Sequence, residues 1–297
     1  MPELPDVTLY VESLAQRLVG QPLAAYAIRS PFVLRTVEPA LDAVVGVRVA
    51  SVARLGKRIV VGFDGDLYVV VHLMIAGRFR WVKTGARKRV PARLALAEFE
   101  FPPGTLVLTE AGTTRRASLH VVRGRDALAS FDRGGLEPMD ATLAQFAERL
   151  ARENHTLKRS LTDPRLFSGI GNAYSDELLH RARLSPLKLT SKLTSDEVER
   201  LYRATRDTLR EWTERLRAEL VDGFPEKVTA FHDAMAVHGR YKLPCPVCAT
   251  PVQRIRYRAN ETNYCARCQT EGRLLADRAL SRLLKSDWPR TIEELEG

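Results

Sequence analysis

Cys245-Pro246-Val247-Cys248 and, sixteen residues further on, Cys265-Ala266-Arg267-Cys268 contain all four cysteines of the 297-residue chain. Two Cys-x-x-Cys pairs at this separation predict one tetrahedral four-thiolate zinc site, with each pair on its own turn. All four ligand positions are filled by protein, so the ion is structural. Two disulfides are the competing reading. No stretch reads as a secretory signal, and a chain of this length buries a core without covalent staples, which favours the metal and a reducing cytoplasm.

Upstream of the cysteines, Leu157 to Ser160 and Ser195 to Arg217 carry helical periodicity, as does Thr142 to Arg152. A second, mostly helical domain therefore begins near residue 140 to 150, just after Gly134-Gly135-Leu136-Glu137-Pro138. Within it, Phe167-Ser168-Gly169-Ile170-Gly171-Asn172-Ala173-Tyr174 is a glycine-rich turn that opens into a helix and offers backbone N–H groups to an anion. It is not a dinucleotide fingerprint, because Tyr174 takes the place of the third glycine and a helix precedes the turn. By itself it reads more readily as a plain helix-helix turn.

From about Val44 to Val122 the pattern is one of short β runs: 58–61, 67–73, 78–81, 94–101, 105–109 and 119–122. Asp64-Gly65-Asp66 and Pro102-Pro103-Gly104 punctuate them, which predicts a sandwich or barrel. The connection from Lys83 to Arg93 has five basic residues in eleven and reads either as an arm that touches phosphate or as a solvated loop. Over the whole chain, 46 Lys and Arg against 36 acids give a net charge of +10. Such a balance favours a polyanionic partner, nucleic acid or an anionic membrane surface. No apolar run has transmembrane length.

At the other end stands Met1-Pro2-Glu3-Leu4-Pro5-Asp6. Removal of Met1 would make Pro2 a terminal secondary amine, with a reference pKa of about 7.7 to 8.0 against about 10.4 for lysine, and so a nucleophile at neutral pH. Val7, Tyr10, Val11, Leu14 and Leu18 place a helix directly behind it, whose positive end disfavours the ammonium form further.

Together these segments resemble the formamidopyrimidine-DNA glycosylase and endonuclease VIII family of base-excision repair enzymes over almost the whole chain. The resemblance rests on Pro2-Glu3-Leu4-Pro5, Gly56-Lys57, His72-Leu73 with Gly77, and Gly135-Leu136-Glu137-Pro138. It continues through Lys158, Gly169 to Tyr174, Val237-His238-Gly239-Arg240 and the four cysteines. It implies an α+β multidomain protein. An N-terminal β-sandwich with flanking helices (1–135) is followed by a helix-two-turn-helix domain (150–240), then a four-cysteine zinc finger with a helical extension (243–297). It further implies a bifunctional glycosylase and abasic-site lyase, monomeric, in the bacterial cytoplasm or nucleoid, with damaged DNA, duplex or single-stranded, as partner and no membrane. Pro2 would be the nucleophile and Glu3 the acid and base, with Lys57 beside the lesion. His72, Lys158, Gly169, Gly171 and Asn172 would hold phosphates. A catalytically silent damaged-DNA-binding protein of the same fold is the alternative, and a zinc ribbon fused to an unrelated sandwich a more distant one.

The chain departs from this family in two places. Where many relatives insert a methionine, an arginine and a phenylalanine into the gap left by an everted nucleotide, this chain has Ile75, an arginine at Arg115 or Arg116, and Ala117. Weak wedging predicts a preference for lesions already unpaired. In the finger hairpin, Asn260 stands where an arginine is usual, with Arg258 or Arg256 as a substitute. Leucines 274, 275, 280, 283 and 284 predict an amphipathic helix that packs on the finger.

Overall fold

The computed structural model describes residues 1–86, 90–112, 114–220, 223–226, 232–257, 260–276 and 289–296. It divides into two compact units, residues 1–133 with 212–229 and residues 134–211 with 230–297.

The first unit opens with helix α1 (Leu4–Leu18), entered through Pro5 in its first turn and buried along Leu4, Val7, Tyr10, Leu14 and Leu18. This spacing of apolar residues every three or four positions makes one continuous stripe toward the core. Eight strands follow: β1 (Ala25–Ile28), β2 (Val49–Leu55), β3 (Arg58–Phe63), β4 (Leu67–His72), β5 (Gly77–Lys83), β6 (Ala95–Phe101), β7 (Gly104–Glu110) and β8 (Ser118–Arg123). They form two antiparallel four-stranded sheets in the orders β1-β6-β7-β5 and β2-β3-β4-β8. One apolar core draws on both sheets and on α1. The short helix α2 (Arg125–Ala129) follows β8.

Two glycines are needed where they stand. Gly56, at φ +61°, is the first of two loop residues between β2 and β3, and so it presents Lys57 at the tip of a tight hairpin. At Gly77 a Cβ would lie 2.1 Å from the Leu73 carbonyl oxygen, so only glycine lets β4 turn back into β5.

The second unit holds α3 (Leu143–Ala151), α4 (Leu157–Thr162) and α5 (Asn172–Arg181). Thr142 caps α3 in a reciprocal box with Gln145, the physical reason for its start. Helix α6 (Ser195–Ala218) begins in this unit, its residues from Trp212 on being counted with the first. After it the second unit holds the hairpin β9 (Gln253–Tyr257) and β10 (Asn260–Tyr264) and the short helices α7 (Ala266–Thr270) and α8 (Ile292–Glu296). Leu274 and Ile292 pack with Tyr264 and Ala266, so the described part of the C-terminal extension lies on the finger. Its expected helical leucines 280, 283 and 284 lie outside the described residues, as do Lys88 of the basic connection and Arg258 of the finger hairpin. Asn260 pairs with Tyr257 through the backbone of the hairpin. Among the described residues no helix is long and apolar enough to cross a membrane.

Candidate functional site

In the first unit, the N-terminal segment is buried despite its charges. Pro2 is buried, and Glu3 and Asp6 are each only 2% exposed. Glu3 is the N-cap of α1: its carbonyl accepts from Val7 N–H at 2.9 Å, while its own N–H donates to Asp6 Oδ2 at 2.8 Å. Burial holds the Met1 ammonium, the terminus of the unprocessed chain, below its ordinary pKa. Glu3 opposes that shift, and the cations Arg78 and Lys57 reinforce it. One small region therefore gathers a depressed amine, two carboxyls and two cations. Pro2, Glu3 and Lys57 were expected here from the sequence. Asp6 and Arg78 were not, since neither has a local signal.

Asp6 is pushed up to about 7, chiefly by burial and despite the hydrogen bond from Glu3 N–H. An unfolded aspartate releases its proton near 3.8, so between these values the folded chain holds a proton that the unfolded chain has lost. Stability therefore falls as pH rises through that window. Asp6→Asn is expected to flatten the slope of Tm against pH between about 4 and 7. An identical slope in the variant would refute this assignment.

His72 closes β4, where it faces Arg58 on one side and Ser118 on the other. Burial, reinforced by Arg58 and Lys57, lowers it to about 4, so the ring is neutral. Its Nδ1 accepts from Met74 N–H at 3.0 Å, which leaves the proton on Nε2.

Of the three wedge positions, only some reach solvent. Ile75 is 64% exposed, and Arg115 and Arg116 are exposed, with Arg115 donating to the Arg93 carbonyl at 2.6 Å. Ala117 belongs to the core. Its N–H and that of Arg116 both donate to the buried Glu110 carboxylate, at 3.0 and 2.9 Å.

In the second unit, the glycine-rich turn is built as expected, with Gly169 at φ +76° and Gly171 as N-cap of α5. Its polar side chains, however, are engaged within the protein. Lys158 Nζ donates to the Asn172 carbonyl at 2.6 Å and to Asp176 Oδ1 at 2.5 Å, and Asn172 Nδ2 donates to the Glu261 carbonyl at 2.8 Å. The other oxygen of Asp176 lies 2.8 Å from His238 Nδ1 and accepts from Asn263 N–H at 3.1 Å. Glu177 next to it accepts the N–H groups of Ala236, Val237 and His238. Burial raises the Glu177 carboxyl even so. Asp176 and Glu177 were legible only as the polar start of a helix.

The four cysteines are free thiols whose sulfurs all lie within 4.8 Å of one another. Neighbouring Sγ atoms stand 3.4, 3.5 and 3.9 Å apart, too far for disulfides. Four sulfurs at about 2.3 Å from a tetrahedral zinc would be roughly 3.8 Å apart, so the donor set fits that ion. Val247 N–H and Cys268 N–H point at Cys245 Sγ and Cys265 Sγ, each at 3.5 Å.

These parts coincide with known domains in order. Residues 1–116 match the formamidopyrimidine-DNA glycosylase N-terminal domain, 135–219 the formamidopyrimidine-DNA glycosylase H2TH domain, and 242–270 the zinc finger found in FPG and IleRS. The formamidopyrimidine-DNA glycosylase of Thermus thermophilus is 34% identical over 284 residues, spanning 92% of this chain and 100% of that protein. The Heliobacterium modesticaldum protein of the same name is 31% identical, with 91% and 100% covered. In fold, a crystal structure of Lactococcus lactis Fpg with abasic-site DNA aligns at TM-score 0.79 and 22% identity, over 90% of this chain and 99% of that one. The chain belongs to the formamidopyrimidine-DNA glycosylase family.

Proposed function

We propose that this protein is a DNA glycosylase of base-excision repair that also cleaves the strand, with Pro2 as its nucleophile once Met1 is removed. The observation that carries the reading is the buried N-terminal cluster, where Pro2 and Glu3 are buried and where burial lowers the ammonium pKa of Met1, one residue ahead of the amine that processing would create. While Met1 is attached, the Pro2 nitrogen is an amide without nucleophilic character.

In the first step the Pro2 nitrogen bonds to C1′ of the damaged nucleotide as the C1′–base bond breaks. The base leaves with that electron pair and takes up the proton shed by the amine. In concert with that departure, protonated Glu3 gives its proton to the ring oxygen O4′, which leaves C1′ and so forms the iminium, making base release itself depend on Glu3. The resulting Glu3 carboxylate removes a C2′ proton, and the C3′–O bond breaks with its pair going to the phosphate. A second elimination of the same kind would release the 5′ side. Lys57, at the hairpin tip, supplies positive charge beside the same site.

Sodium borohydride tests this directly. The processed protein incubated with abasic-site DNA is expected to give a covalent adduct that peptide mapping places on Pro2. A chain that binds this DNA but yields no adduct would instead be a silent damage-binding protein.

The cysteine cluster holds one structural zinc in this reading. Metal analysis of the full-length protein is expected to find a single equivalent, and EDTA treatment to lower its Tm; a chain that never carries zinc overturns the assignment.

Of the wedge positions, Ile75 alone presents an exposed aliphatic side chain, and Ala117 is withdrawn into the core. Because unstacking a paired base costs a few kcal/mol, excision is expected to be faster from single strands and bubbles than from paired duplex. Equal rates on single-stranded and fully paired substrates would remove that expectation.

A further inference from the structure

Helix α5 begins at the glycine-rich turn and runs to the cysteine cluster. His180, on its last turn, is 6% exposed, and its Nε2 lies 3.3 Å from Cys245 Sγ. Cys245 is itself 2% exposed, so water contributes little to the stability of a thiolate there. The contacts near this sulfur are the Val247 N–H at 3.5 Å, the Cys268 Sγ at 3.9 Å and the imidazole. A metal-bound thiolate can only accept a hydrogen bond, and a neutral imidazole always has one N–H to give. Gln269 makes a parallel tie: its Nε2 donates to the Leu184 carbonyl just beyond α5, and its Oε1 accepts from Cys265 N–H at 2.8 Å. Asp176, one turn before His180 on the same helix, accepts from Asn263 N–H in β10. With the Asn172 bond to the Glu261 carbonyl, these contacts bind α5 and its exit to the finger, two of them at cysteines.

Resting on the reading of the four cysteines as a zinc site, we propose that His180 is a fifth protein group of that centre. It is not a ligand but a donor, its Nε2–H held on the Cys245 thiolate, so that the helix carrying the Gly169–Asn172 turn helps retain the ion. The donor spreads the negative charge of the four-thiolate set and so helps hold the sulfur on the ion. Loss of such partners typically costs about 10- to 100-fold in metal affinity.

The test compares full-length, zinc-loaded wild type with His180→Phe, which keeps the bulk and loses the N–H, and with His180→Gln, which keeps a donor. Zinc release to a chromophoric chelator is expected to be about 10- to 100-fold faster for His180→Phe and partly restored for His180→Gln. In the cobalt-substituted proteins, the thiolate-to-metal charge-transfer band is expected to move to lower energy in His180→Phe, with four thiolates still bound. Equal release rates and an unmoved band would overturn the proposal. Should His180→Phe fail to fold, histidine 15N shifts of the wild-type zinc protein decide. A protonated Nε2 supports the donor, and a proton on Nδ1 alone overturns it. A wild-type chain that binds no zinc refutes the metal reading itself, an outcome distinct from a zinc-loaded chain indifferent to His180.

Discussion

Glu3→Gln is expected to slow base release and strand cleavage by about 10²- to 10⁴-fold while leaving DNA affinity nearly unchanged. Glutamine has the size of glutamate and can still accept hydrogen bonds, but it can neither give a proton to O4′ nor remove one from C2′. At the start of α1 the Glu3 carbonyl accepts from Val7 N–H, its N–H donates to Asp6, and its side chain accepts from Asp6 N–H in a capping box, a contact that the amide oxygen of glutamine can keep. Single-turnover excision and borohydride trapping, measured on the same preparations, separate the two roles of the site. With Glu3→Gln the amine of Pro2 is intact, so adduct formation on preformed abasic DNA should persist more than base excision does. A variant that excises at the wild-type rate would remove Glu3 from the mechanism.

The second large effect is structural. Asp176→Ala is expected to destabilise the protein by about 3–5 kcal/mol, because it leaves a buried charge without its partner. The Asp176 side chain is fully buried and that of Lys158 only 12% exposed, so little water replaces the lost carboxylate. His238 Nδ1 and Asn263 N–H lose their partner in the same change. Asp176→Asn keeps an acceptor for Asn263 but loses the charge, and should fall between. Replacing the pair together, Asp176→Leu with Lys158→Met, should recover much of the loss, since two apolar groups of similar volume leave no orphaned charge. Urea unfolding of the full chain measures all three. Because Lys158 also holds the Asn172 carbonyl, the single variants should loosen the glycine-rich turn and weaken DNA binding. If Lys158 instead met phosphate directly, Lys158→Met would lower the salt dependence of binding by about one counterion. Its amine makes two contacts within the protein, to Asp176 and Asn172, and keeps a third N–H, so a drop of about one counterion for Lys158→Met would place it on phosphate and an unchanged slope would confine it to the turn.

The sequence reading located most of the elements that depend on neighbours in the chain. The β runs, the start of α3 at Thr142 and the glycine-rich turn follow from spacing and from residues with restricted or permissive backbones. The strands β1 and β2 were less legible. Ala25–Ile28 is half-buried throughout, and Val49–Leu55 alternates weakly between exposed and covered positions, so neither presents a strong two-residue period. Lys158 and Asn172 were marked only through the resemblance, as phosphate holders; their contacts with Asp176 and Glu261 join residues distant in the chain and so were not legible in it.

What the sequence by itself determined is the set of chemical groups and their local presentation: an amine-to-be next to a carboxyl at the head of a helix, and two thiol pairs on turns sixteen residues apart. These depend on covalent adjacency and short-range backbone geometry, which survive without the rest of the fold. Tertiary structure alone decided the environments. Asp176 meets residues 18, 62 and 87 positions away, and His180 meets Cys245 across 65. Ala117 is drawn inward by the Glu110 carboxylate, and Asp6 takes up a proton near neutrality because α1 buries it. Burial and the pairing of distant charges are properties of the packed chain, and they set whether a cation, a carboxyl or a thiolate is structural or chemical.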